Sequence, residues 1–189
     1  MFVRRTLALG LLIAAVSGTA REAQAQAQVF LTEEQALMAA LSEADTVHAV
    51  PLAWGADVQR AIENRARFYA KFNQTHCFQG TKAGQVIGYA CIDNMTGKDR
   101  LITYVTRIDH PAGRIGMMEV MEYRERIGAK VNKPMFRDQF VGKSARDPLQ
   151  ERIDIRILVG ATLSSRALTM GCRKLVQMYE VYLRGLEPQ

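Results

Sequence analysis

Between His76 and Tyr123 apolar and polar residues alternate at a period of two in four short runs, HCFQG, QVIGYACID, LITYVTRID and RIGMMEVMEY. Each run is rich in β-branched and aromatic residues, and GTKAG, NMTGKD and HPAG separate them. Alternation punctuated by turn-forming residues predicts four strands joined by hairpins, an antiparallel meander. In the fourth run Ile115, Met117, Met121 and Tyr123 are expected on one face.

On either side the period lengthens. LTEEQALMAALSEA opens with Thr32 three residues before Gln35, a capping-box spacing, and predicts a short helix with Leu37, Met38 and Leu41 on one side. WGADVQRAIENRARFYAKF places Val58, Ile62 and Ala66 at intervals of four, with Gly55 and Asp57 as start signal, and predicts a second. Downstream, Pro134 should open a short helical turn through Phe136 and Phe140 that Gly142 closes. In RIDIRILVGATLSS, Ile153, Ile155 and Ile157 alternate with Asp154 and Arg156, the period of a half-buried strand. The last helix carries Leu168, Cys172, Leu175, Tyr179 and Tyr182 as one apolar stripe and ends at Gly185. The expected class is α+β: a mainly antiparallel twisted sheet with helices packed on it and a long C-terminal helix.

The first residues stand apart. Arg4 and Arg5, an apolar run from Leu7 to Val16, and small-x-small sites at Ala23 to Ala27 follow the layout of a secretory signal. We therefore divide the chain into a signal peptide at 1–25, an N-terminal helical segment at 26–70 and one domain at 71–189, and expect an extracytoplasmic or periplasmic location. The formal charge of +6 falls to +4 without residues 1–25, which hold Arg4, Arg5, Arg21 and Glu22. The remaining basic residues are dispersed among acidic ones, without the basic stripe and stacking aromatics that nucleic acid requires, so no nucleic-acid partner is expected.

Of the three cysteines, Cys77 and Cys91 flank a hairpin turn and can pair in an oxidising compartment; burial of all three as small apolar residues is the alternative. His48, His76 and His110 lack metal-ligand spacing, so no metal is expected. No nucleophile and base arrangement or Gly-rich nucleotide loop is recognisable, and no catalytic residue is assigned. Glu119, Glu122 and Glu125 read as solvent-facing charges.

Chemistry concentrates in VGATLSSRAL, residues 159–168, between the predicted strand and the last helix. Unpaired N–H groups and the helix dipole favour an anion there, Gly160 and Ala161 leave the backbone accessible, and Thr162 adds a hydroxyl. By the same chemistry Ser164 or Ser165 would cap the helix.

The stretch resembles the Gly-Ala-Thr-x-Ser/Thr-Ser signature of the extracytoplasmic FMN-binding domain of the C and G subunits of the Nqr and Rnf redox complexes. AGRIGMMEVMEYRERIGAKVNKPMFRDQFVGKSARDPL is similar to that family's strand, glutamate-glycine turn and Phe-x-x-x-Phe-x-Gly-Lys segment, and the resemblance runs from about Gln85 to Leu183. It implies FMN held by a phosphoester to Thr162, installed from FAD by a flavin transferase of the ApbE type. It also implies a phosphate-facing turn of Gly160, Ala161, Leu163, Ser164 and Ser165, and a turn near the flavin at Tyr123, Glu125 and Gly128. Phe136 and Phe140 read as core aromatics.

The chain departs from the family's Asp-x-x-Ser-Gly-Ala-Thr at two positions, with Arg156 and Val159 for the acidic and hydroxyl residues. The resemblance implies an electron carrier rather than a stand-alone enzyme, with a membrane or periplasmic redox protein as partner. A flavin-free or weakly binding interaction or assembly protein for such a complex is the alternative that Arg156 and Val159 motivate.

Overall fold

In a computed structural model, which describes residues 27–188, six antiparallel strands form one sheet in the order β1-β6-β5-β4-β3-β2. The expected signal peptide lies outside the described residues. The strands are β1 (Gln28–Val29), β2 (Thr46–Val50), β3 (His76–Lys82), β4 (Gln85–Thr96), β5 (Leu101–Asp109) and β6 (Arg114–Tyr123). The last four are the expected meander. The outer two come from the segment read as helical, where β2 pairs with β3 and β1 with the end of β6. Four α-helices accompany them: α1 (Glu33–Ala40), α2 (Ala56–Ala66), α3 (Pro134–Arg137) and α4 (Thr162–Val181).

Alternation along the strands sorts side chains to two faces. Tyr89 and Cys91 of β4 with Tyr104 and Ile108 of β5 join the large core beneath α4, whereas Ala90, Ile92 and Val105 face α1. Helix α1 has the expected capping box between Thr32 and Gln35. Its buried side is Ala36, Ala40 and Leu41, while Met38, expected with Leu37 and Leu41, points to solvent. Helix α2 packs on α4, with Ile62 and Ala66 fully buried.

Two expectations fail in β6 and beyond. Pairing with β5 slips by one residue near Gly116 and again near Met121, so two bulges divide the strand. A bulge reverses the alternation. Ile115, Met118, Val120 and Tyr123 therefore enter the core under α4, while Met117 and Met121 pack on the α1 side.

The alternating segment Ile153 to Ile157 is not a strand but a set of turns. The Asp154 carboxylate accepts from the N–H groups of Leu149 and Gln150, the Gln150 carbonyl takes the N–H groups of Ile153, Asp154 and Ile155, and Arg152 adopts φ +63°. A short acidic side chain that captures nearby backbone donors competes with a ladder. Only Ile155 is buried, and Ile153 is exposed.

Cys77 and Cys91 sit opposite each other in the β3–β4 register and form a disulfide, leaving Cys172 as a buried thiol. No helix among the described residues is long and apolar enough to cross a membrane.

Candidate functional site

The turn into α4 is built by a glycine conformation. The Ala161 N–H donates to the Leu158 carbonyl at 2.9 Å, closing a β-turn whose third residue, Gly160, has φ +78°. Positive φ at that position is the reason a glycine is needed. A Cβ there would meet nothing within 4 Å, so the backbone is open to an approaching group. Val159, at the turn's second position, is 91% exposed.

Helix α4 then runs for 20 residues from an N-cap at Ala161, and no side chain caps it. The two serines expected as caps are instead inside the first turn and buried. Ser165 Oγ reaches back to accept from the Leu158 N–H at 3.2 Å, bracing the turn. Ser164 Oγ lies 2.8 Å from the Tyr123 hydroxyl, which donates to the Ile127 carbonyl at 2.6 Å. Thr162 is exposed at the first helical position, and Leu163 is partly exposed beside it. The helix start thus presents uncapped N–H groups and a free threonine hydroxyl to the outside, the electrostatic setting that favours a phosphate.

Of the sequence-predicted residues, the fold gathers Tyr123, Gly128, Ala161 and Ser164 around one point. Gly128 has φ +108°, and a Cβ there would collide with the Tyr123 hydroxyl and lie 3.2 Å from Ser164 Oγ. Burial raises the Tyr123 phenol above its usual range, partly offset by its hydrogen bond with Ser164. The phenol therefore stays protonated as the link between β6 and α4.

Glu125 holds the β4–β5 turn: its Oε1 accepts from the N–H groups of Asp99 and Arg100 at 2.7 and 2.9 Å. Burial alone would raise its pKa, but the N–H groups of Arg100, Asp99 and Lys98 outweigh it and keep the carboxyl below the usual range. The other two glutamates read as solvent-facing are partly buried and paired, Glu119 with Arg137 and Glu122 with Arg124. Phe136 and Phe140 are fully buried and stack edge to face, as core aromatics.

Beside Leu163 opens a cleft of about 510 Å³ between α4, the segment after α2 and the tip of the β4–β5 hairpin. Phe68, Tyr69, Met95, Leu101 and Met170 supply apolar and aromatic surface, with Arg166 at the rim and Lys174 at the floor. That volume lies within the range of small-molecule sites. Sequence reading missed these wall residues because they come from three separate segments. The exposed Tyr69, 78% accessible just past a helix end, is the one local signal.

At the departures from the signature, Arg156 is exposed, and its backbone N–H donates to Gln139 Oε1 at 2.8 Å. Asp154, two residues before it, is occupied by the N–H groups of Leu149 and Gln150 and by Lys143 Nζ at 2.9 Å. Among the described residues no group of three or more His, Cys, Asp or Glu side chains is placed to hold a metal ion.

No protein-family model and no curated protein matches this chain. Among solved structures it is similar to NqrC of Shewanella oneidensis, at 14% identity and a TM-score of 0.51, over 77% of this chain and 91% of that one. The chain shares the fold of NqrC.

Proposed function

We propose that this chain is an extracytoplasmic electron-transfer protein that carries FMN as a phosphoester on Thr162. The observation that supports it most is the placement of Thr162: an exposed hydroxyl on an uncapped 20-residue helix, one residue from a 510 Å³ cleft, in a fold shared with NqrC. The donor set fits the group. Open backbone at Gly160 and the first-turn N–H groups suit a phosphate, and the cleft walls from Phe68, Met95, Leu101 and Met170 suit a flat aromatic ring.

The flavin supplies one-electron chemistry when bound, while the chain's residues hold, orient and shield it. Leu163 and Met170 exclude water from one wall, and Ser165 and Tyr123 fix the helix start against the sheet. The Cys77–Cys91 disulfide suits an oxidising compartment and supports the location. A transferase of the ApbE type and a membrane redox complex complete the reading as modifying enzyme and partner.

A second reading rests on Arg156, an exposed cation with no ion-pair partner among the described residues, at the position where the signature carries an acid. On that reading the transferase does not modify the chain, and the same fold serves docking or assembly. In-gel flavin fluorescence of the denatured protein separates the two. After coexpression with a flavin transferase, a fluorescent band that Thr162→Ala abolishes supports the carrier. A dark band beside a labelled control substrate supports the second.

A further inference from the structure

Farther toward the C-terminal end of α4 than the cleft beside Leu163, a groove of about 320 Å³ runs between the end of α2, the 145–148 loop and α4. Four arginines line it: Arg65, Arg67, Arg146 and Arg173. None of them has a carboxylate within ion-pair distance among the described residues. The other described arginines that pair do so with Asp57, Glu43, Asp109, Glu122, Glu119, Glu151 and Glu180, all elsewhere. The groove's carboxylate, Asp147, has its Oδ2 engaged by the N–H and Oγ of Ser144 at 2.8 and 2.9 Å.

Arg173 is partly buried, and its Nη1 donates to the Leu149 carbonyl at 3.3 Å, which fixes the guanidinium in the groove wall. Arg67 closes α2 in the left-handed region, at φ +61°, where glycine is the unstrained choice. That conformation keeps a cation at the groove's mouth. Burial, and then repulsion from Arg67, holds the Arg173 guanidinium below its usual range, with attraction to Asp154 partly opposing both.

Four arginines lining one small concavity supply the forked donors that phosphoryl oxygens accept. We propose that this groove binds a compact multivalent oxyanion of the phosphate class, free in solution or presented as a lipid headgroup. The groove's lining shares no residue with the cleft beside Leu163, although the Arg173 guanidinium lies 6.0 Å from the ring centroid of Phe68 in the cleft wall.

The test is calorimetric titration of the flavin-free chain with inorganic pyrophosphate, alongside cosedimentation with vesicles containing phosphatidic acid, whose phosphomonoester headgroup is the multivalent lipid counterpart. Variants Arg67→Gln and Arg146→Gln alter exposed side chains, and Lys98→Gln, which lies at the β4–β5 turn, is the control. Saturable pyrophosphate binding weakened about tenfold or more in each arginine variant, and unchanged in Lys98→Gln, supports a free anion. Vesicle binding lost in the same two variants, without saturable pyrophosphate binding, supports the headgroup. Absence of both, or binding that neither arginine variant alters, overturns the proposal.

Discussion

The Tyr123 hydroxyl and Ser164 Oγ lie 2.8 Å apart and join the end of β6 to the first turn of α4. The single phenol proton goes to the Ile127 carbonyl, so Ser164 donates to the tyrosine oxygen. Replacing Ser164 by Ala removes one donor and should cost about 1 kcal/mol in urea denaturation, the usual net worth of a hydrogen bond. Tyr123→Phe also leaves the Ile127 carbonyl without this donor and should cost more, about 1–3 kcal/mol. Equal stability of Tyr123→Phe and wild type would show that the link carries nothing.

Beneath the cleft, Lys174 and Asp93 form an ion pair in which both side chains are 1% exposed. Lys174 Nζ also donates to the Lys71 carbonyl and to Thr75 Oγ1, and Tyr104 donates to Asp93 Oδ2 at 2.6 Å. Asp93→Asn leaves the lysine charge unmatched and should destabilise by about 3–5 kcal/mol, while the double change Asp93→Leu with Lys174→Met should recover much of that loss. A single variant as stable as wild type contradicts the assignment.

Acid should weaken the fold through Asp154. Its burial alone would raise its pKa, but the Gln150 N–H, Lys143 and the Leu149 N–H outweigh that and hold the carboxyl below its usual range. A depressed folded pKa means stability present above the unfolded value, near pH 4, and lost as pH falls through the folded one. Denaturation midpoints taken from pH 6 to pH 2 should fall with acid, and Asp154→Asn should flatten that fall. An identical slope in both proteins refutes this.

Much of this architecture was legible because it is local. The capping box at Thr32 and Gln35, the four hairpin strands and the stripe of α4 each follow from periods that short segments carry. What escaped depends on partners distant in sequence. Strands β1 and β2 are short edge elements that pair with β6 and β3, and the bulges in β6 appear only in its register with β5. Ile153 to Ile157 alternate like a strand, yet Asp154 turns the chain by capturing the N–H groups of Leu149 and Gln150. At the site, Gly160 and Thr162 were readable from the motif, whereas the cleft walls required the fold to bring Phe68 and Met95 to α4.

The Cys172 thiol, fully buried and pushed up to about 12 by that burial, should be inert to thiol reagents at pH 8. A colorimetric thiol assay should count none in the native protein and one after unfolding without reductant, since Cys77 and Cys91 are bonded to each other. Reduction should raise the count to all three cysteines. One reactive thiol in the native state contradicts the buried placement.

Peptide mapping after coexpression with a flavin transferase tests the central claim most directly. Trypsin cutting after Arg156 and Arg166 releases ILVGATLSSR, with Thr162 at its centre. The expected result is that peptide carrying one FMN, less one water, with fragmentation placing it on Thr162. An unmodified peptide while a control substrate is labelled, or FMN found on Ser164 or Ser165, contradicts it.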